Sequence, residues 1–145
     1  MQSTILVSVA KAPRENDPPK ILRIQWAVIN SEMTLVRGFS FFIQDEAQSE
    51  SPDQCGIGME TVSQYGKPIE YVLKKFIYDY GQCQVIAGPE IEADLAILGA
   101  EAKRLEIVPS NKIETKVKIE SEDQCTDLNS LIKKYVIQAK SGIFV

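Results

Sequence analysis

The spacing of the apolar residues differs between the two parts of this chain, and that difference limits what the chain can fold into. Up to Ile43 the apolar residues are clustered or alternate; from Ile69 onward they also recur at helical spacing. Thr4 to Val9 is mostly β-branched and apolar, as expected of a central strand buried on both faces. Ile21 to Ile29 partly alternates, with Leu22, Ile24, Trp26 and Val28 on one side. Asn30-Ser31-Glu32 turns the chain, and Leu35 to Ile43 returns it, which predicts a hairpin. The polar, proline-rich stretch Ala12 to Pro19 between the first two runs is predicted to be a loop, because proline has no N–H for a strand or helix ladder. Gln44 to Gly58, holding Pro52 and Gly56, is predicted to be another.

After Pro68 the pattern becomes helical. Ile69, Val72, Leu73, Phe76, Ile77 and Tyr80 form one stripe, and Gly81 is expected to stop it. Cys83 to Ala87 reads as a short strand, and Pro89 suits the first turn of a second helix with Ile91, Leu95, Leu98, Ala102 and Leu105 inside. Lys112 to Ile119 alternates, placing Ile113, Val117 and Ile119 against lysines and Glu114, the pattern of a strand with a solvated face near a sheet edge. A last helix carries Leu128, Leu131, Ile132, Tyr135 and Val136 and ends at Gly142. The expected class is α/β, in the order β-β-β-α-β-α-β-α, with a mixed sheet and helices on its faces. Residues 1–145 are expected to form a single domain, a length that can bury a core without disulfides.

Composition removes several kinds of chemistry. The chain contains no histidine, which excludes Ser-His-Asp and Cys-His catalysis and any histidine-ligated zinc. Cys55, Cys83 and Cys125 are widely spaced and odd in number, so they read as reduced thiols rather than a disulfide framework or zinc site. A net charge of −4 disfavours a generic nucleic-acid-coating protein, which needs a basic face. No apolar run approaches the roughly 20 residues of a membrane span. Ile5 to Ala10, followed by Lys11-Ala12, has the outline of a signal-peptide core, but no basic residue precedes it, and a first strand is the better reading.

The element order, together with five short segments, resembles the DnaQ-like (DEDD) 3′–5′ exonucleases of the ribonuclease-H-like superfamily. Ile24-Gln25-Trp26-Ala27-Val28 resembles the family's second strand. Gly66-Lys67-Pro68 through Phe76 resembles its G-x-P-x-x-x-V-L-x-x-F segment. Val85-Ile86-Ala87 and Asp94 through Glu101 resemble V-A-H-N-x-x-F-D and the helix after it, and Glu122 to Asp127 lies where H-x-A-x-x-D opens the last helix. The likeness spans nearly the whole chain, although the stretch from Asp94 to Asp127 is short for the family.

That resemblance implies two-metal phosphodiester hydrolysis, in which ions about 4 Å apart stabilise the attacking and leaving oxygens. Such ions need anionic oxygen ligands, and a histidine or tyrosine orients the water. Here the D-x-E of the first strand falls on Ser8-Val9-Ala10, so Ser8 and Ala10 are degenerate motif positions. The histidine position becomes Glu122, and His-Asn before the second acid becomes Gly88-Pro89. Asp94 and Asp127 remain as candidate metal ligands, and with Glu122 they form the remnant acidic site. Each has a plainer reading: Asp94 as a first-turn acid favoured by the helix dipole, Glu122 and Asp127 as acids at or before a helix start. Trp26, Phe39, Phe41 and Phe42 could stack bases, but strand positions favour core packing.

The expectation is therefore a degenerate exonuclease-like domain without catalytic residues, a pseudoenzyme in a cytoplasmic setting, serving as a structural or protein-interaction module. Two alternatives stand beside it: a residual nuclease using Asp94, Asp127 and Glu122 around one Mg²⁺ or Mn²⁺, and a nucleotide or nucleic-acid binder that does not cleave. No other cofactor is implied, and a protein partner would be of unidentified kind.

Overall fold

The computed structural model describes residues 2–14, 17–44, 65–121 and 127–142. Its elements follow the expected order: β1 (Thr4–Arg14), β2 (Asp17–Ile29), β3 (Leu35–Phe42), α1 (Ile69–Tyr80), β4 (Val85–Gly88), α2 (Ile91–Arg104), β5 (Thr115–Lys118) and α3 (Leu128–Lys140). The strands form one five-stranded sheet in the order β3-β2-β1-β4-β5. β1 runs antiparallel to β2 and parallel to β4, so β1 lies at the centre of a mixed sheet. A buried central strand explains why Thr4 to Val9 carries apolar residues toward both faces.

The proline-rich segment corrects the sequence reading. Residues 12–14 and 17–19 are strand, not loop: β1 continues to Arg14 and β2 begins at Asp17, with Arg14 opposite Asp17. The prolines are accommodated because the register shifts between Ala10 and Lys11 and again between Ala12 and Arg14, and Pro13, Pro18 and Pro19 are not among the paired residues. β3 reaches only as far as Arg23, opposite Phe42, so among the described residues this end of β2 has no strand neighbour on its other side. Edges of this kind are where a sheet tolerates proline.

β5 is shorter than the alternation of Lys112 to Ile119 suggests. It pairs with a four-residue partner, β4, from Val85↔Thr115 to Gly88↔Lys118, and a ladder cannot outrun its partner. Ile113 and Ile119 are nevertheless buried just beyond its ends. Gly81 follows α1 as expected, but with an ordinary φ of −66°. A Cβ there would stand 2.4 Å from Ser110 Oγ, which would have to rotate away. The predicted loop at Gln44 to Gly58 lies, from residue 45 onward, outside the described residues.

Two packed layers flank the sheet. α1 and α2 cover the face bearing Ile5, Val7, Val9, Ile24, Trp26 and Val28. α3 covers the other, where Leu131 and Tyr135 meet Leu6, Ala27 and Ile29. Tyr135 donates its hydroxyl to Thr4 Oγ1 at 3.1 Å, satisfying both polar groups inside that layer. Each fully buried Ile or Leu here contributes about 1.5–3 kcal/mol. Among the described residues, no helix is long and apolar enough to cross a membrane.

Candidate functional site

β4 ends at Gly88, and this sets up the local chemistry. Its parallel pairing with β1 stops at Leu6↔Ala87, so β1 runs on past its neighbour. Gly88 itself passes so close to β1 that a Cβ would stand 2.5 Å from the Val7 carbonyl oxygen. A glycine therefore fits the backbone approach at this position. Pro89 and Glu90 then lead into α2, with Glu90 as its N-cap residue.

The first turns of α2 bring Asp94 against the unpaired length of β1. Asp94 is 1% exposed. Its Oδ2 accepts the Val9 backbone N–H at 3.2 Å, supplying the partner that β4 no longer provides. Its Oδ1 accepts from Lys11 Nζ at 2.5 Å. The same ammonium lies 2.8 Å from Glu90 Oε2 and 3.5 Å from the Val9 carbonyl oxygen. Lys11 comes just after the first register shift of β1, and such shifts re-aim a side chain. Asp94, Glu90 and Lys11 thus form a carboxylate–ammonium–carboxylate cluster at the end of the sheet.

The electrostatics follow from burial and charge. Burial pushes the Asp94 carboxyl above its ordinary range, outweighing the Lys11 ammonium and the Val9 N–H, which pull it down. Burial alone would lower Lys11. Hydrogen bonds to Asp94 and Glu90, and the charges behind them, outweigh it and hold the ammonium above its ordinary value. Asp94 does stand in the first turn of α2, as its plain reading has it, but it is buried there, whereas Glu92 beside it is exposed.

The remaining predicted positions lie across the sheet. Ser8 and Ala10 are buried. By strand alternation they share the face of Leu6, toward α3. Asp127 is exposed and is the N-cap of α3, its Oδ1 accepting the Ser130 N–H at 2.7 Å. That hydrogen bond, with Ser130's side chain and the Lys133 and Arg23 charges, holds its carboxyl below the usual range. Glu122 lies outside the described residues. Arg23 of β2 stands opposite Ala10 and shares an electrostatic interaction with Asp127. Its Nε is buried, with no acceptor among the described residues. The aromatic residues are packing groups: Trp26 is fully buried, with Phe39 and Phe41 against it at ring separations of 5.2 and 5.8 Å.

This donor set does not fit a pair of divalent cations. Both Asp94 oxygens already accept hydrogen bonds, one of them from a cation. Among the described residues, no three His, Cys, Asp or Glu side chains gather as a metal would need. Lys11 is the member of this cluster that sequence reasoning missed. The available signal was a lysine closing the apolar run of the first strand, but neither composition nor spacing says that it turns back onto Asp94.

No family model matches the sequence, and no curated protein does. Comparison by structure is informative. Exonuclease I in a product-bound form superposes with a TM-score of 0.72 at 9% identity, covering 96% of this chain and 42% of that one. The fold is exonuclease-like. Exonuclease I of E. coli in complex with an oligonucleotide gives a TM-score of 0.64 at 10% identity, over 82% of this chain and 28% of that one. A full-length 3′-exonuclease gives 0.58 at 12% identity, with 99% and 84% covered. The chain thus spans less than half the length of these exonuclease I chains. The mixed sheet and its helices agree with the ribonuclease-H-like class expected from the order of elements.

Proposed function

We propose that this exonuclease-like domain no longer hydrolyses phosphodiesters and serves as a binding or interaction module. The observation that carries the reading is Lys11, whose ammonium sits on Asp94 Oδ1 and Glu90 Oε2. Asp94 is the acid that the family resemblance would give to a metal. A tethered ammonium neutralises such an acid but cannot replace the metal's chemistry. It has no vacant coordination position, so it neither acidifies a water nor bridges attacking and leaving oxygens. Ser8 and Ala10 supply no carboxylate on the other side of β1.

A single-stranded oligonucleotide incubated with the purified chain and millimolar Mn²⁺ or Mg²⁺ is expected to stay intact. Thermal unfolding with the same ions is expected to show no stabilisation, because only an ion bound to the native state raises the melting temperature. Metal-dependent cleavage that disappears in Asp94→Asn would overturn the reading and favour the residual nuclease.

A second reading, binding of a phosphate ester without cleavage, is favoured by Arg23, whose buried Nε lacks an acceptor among the described residues. It predicts low-salt binding of a 3′-phosphorylated oligonucleotide that Arg23→Met abolishes and rising salt weakens. Equal binding by the variant would remove it.

A further inference from the structure

On the face covered by α1 and α2, the two helices and the segment after α2 enclose a recess of about 440 Å³. Its inner wall is apolar, with Leu73 and Phe76 from α1, Leu95 and Leu98 from α2, and Ile113 before β5. The outer wall is built by the way α2 ends. Glu106 adopts a left-handed φ of 59°. The Glu106 N–H bonds to Lys103 O, and the Ile107 N–H bonds back to Ala102 O at 2.8 Å. This Schellman turn folds Ile107 and Val108 back along the helix. Val108 remains 84% exposed.

Lys103, Lys112 and Lys116 also line the recess. Lys116 is 3.7 Å from Glu92, while Lys103 and Lys112 have no ion-pair partner among the described residues. A chain with a net charge of −4 thus gathers three ammonium groups around one apolar recess. We propose that this recess binds a small anionic amphiphile, an apolar chain ending in one anionic group, of which a fatty-acid anion is the simplest example. The chain would lie against Ile77, Leu95 and Ile107, which are only partly buried, and the head group would meet Lys103 and Lys112.

Two observations favour a small ligand over a docked protein. The volume is within the roughly 300–1,000 Å³ usual for ligand sites, which are mainly apolar with a few placed polar groups. A stable protein interface needs about 800 Å² from each partner. The exposed large apolar residues do not supply a continuous surface of that kind: of Leu35, Val36, Tyr65, Tyr71, Tyr78, Val108 and Ile137, only Val108 lines the recess. The inference is independent of the fate of Asp94.

Gly99 provides the test. It lies in the middle of α2 and lines the recess, and a Cβ added there meets nothing within 4 Å. Gly99→Leu should therefore fill the recess while favouring the helix. Calorimetric titration with monomeric laurate is expected to show saturable one-to-one binding to the wild type. Binding should weaken about tenfold or more in Gly99→Leu and in the double variant Lys103→Glu/Lys112→Glu, the scale of one lost charge-assisted contact. Dodecyltrimethylammonium, the cationic counterpart, should bind the wild type less well than laurate and the double variant better. Absence of saturable laurate binding, equal affinity for the two head groups, or laurate affinity unchanged in Gly99→Leu would each overturn the proposal. Co-sedimentation with anionic phosphatidylglycerol vesicles that survives Gly99→Leu would also overturn it, by placing the lysines on a membrane surface instead.

Discussion

Asp94 and Asp79 are both buried aspartates, each bonded to one cation and one neutral N–H, yet they occupy different kinds of site. Asp79 lies near the end of α1 and accepts from Trp26 Nε1 and Arg37 Nε, each at 2.8 Å. Its neutral partner is a core side chain, and its cation comes from β3 with a side chain 39% exposed. Asp94 instead accepts from a backbone N–H and from an ammonium that a second carboxylate also holds. Asp79 ties a helix to the aromatic core; Asp94 closes a strand that has outrun its neighbour. A buried acid is therefore no mark of an inherited catalytic site on its own. The backbone geometry around it and the cation assigned to it make the distinction.

The sharpest way to break this contrast is to remove the cation from Asp94. Lys11→Met is expected to destabilise the protein by about 3 kcal/mol near neutral pH, because it leaves a buried carboxylate unpaired. The loss should shrink as the pH falls and Asp94 takes up a proton. Pairing the change with Asp94→Leu should recover part of the loss, even though Val9 loses its acceptor, and urea titrations of the four proteins measure the coupling. In the wild type Lys11 is held above its ordinary value, so its folded form keeps a proton that the unfolded chain releases. Its contribution is complete below the ordinary lysine range and is lost as the pH rises through the folded value. A Lys11→Met loss near zero would make the cluster a surface contact and end the comparison.

Asp79→Ala should cost about 2 kcal/mol, because the indole N–H is left buried without an acceptor. Trp26 fluorescence gives a local readout of that change. Arg37→Met should cost less, about 0.5–1 kcal/mol, since its guanidinium is partly solvated and Asp79 keeps the indole. Equal losses for Arg37→Met and Lys11→Met would erase the distinction between the two aspartates. The smallest effect belongs to exposed Asp127. Its carboxyl is held below the usual range, so its contribution is present above the ordinary aspartate value and fades as acid protonates the folded form. The melting-temperature difference between the wild type and Asp127→Ala should therefore narrow in acid. A constant difference would mean that the cap acts through something other than its charge.

Some of this was legible in the residues. The stripe from Ile69 to Tyr80 is a helix, and Leu128 to Val136 carries the apolar face of α3, which Gly142 follows with a left-handed φ of 80°. Asp127 is a helix cap, as its place before an apolar stripe suggested. Cys83 is buried, and burial pushes its thiol up to about 11, as a reduced packing cysteine should behave. The prolines of Ala12 to Pro19 misled, because a local rule about missing N–H groups cannot foresee a ladder whose register shifts take those positions out of the pairing. Lys11 read as the end of an apolar run, since nothing nearby in sequence is its partner: Glu90 and Asp94 lie 79 and 83 residues away.

By itself, the sequence determined the elements and their order, because periodicity, prolines and glycines act over a few residues. It also determined that no imidazole is available and that the first strand carries no carboxylate. The tertiary structure decided which side chains meet. It ended β4 at Gly88, left the Val9 N–H for Asp94, and turned Lys11 onto that acid. It also folded Ile107 and Val108 back along α2 to complete the lysine-rimmed recess. The physical reason is range: local patterns record what a residue does to its own backbone, whereas an ion pair, or an apolar wall with lysines at its rim, exists only once distant segments are packed together.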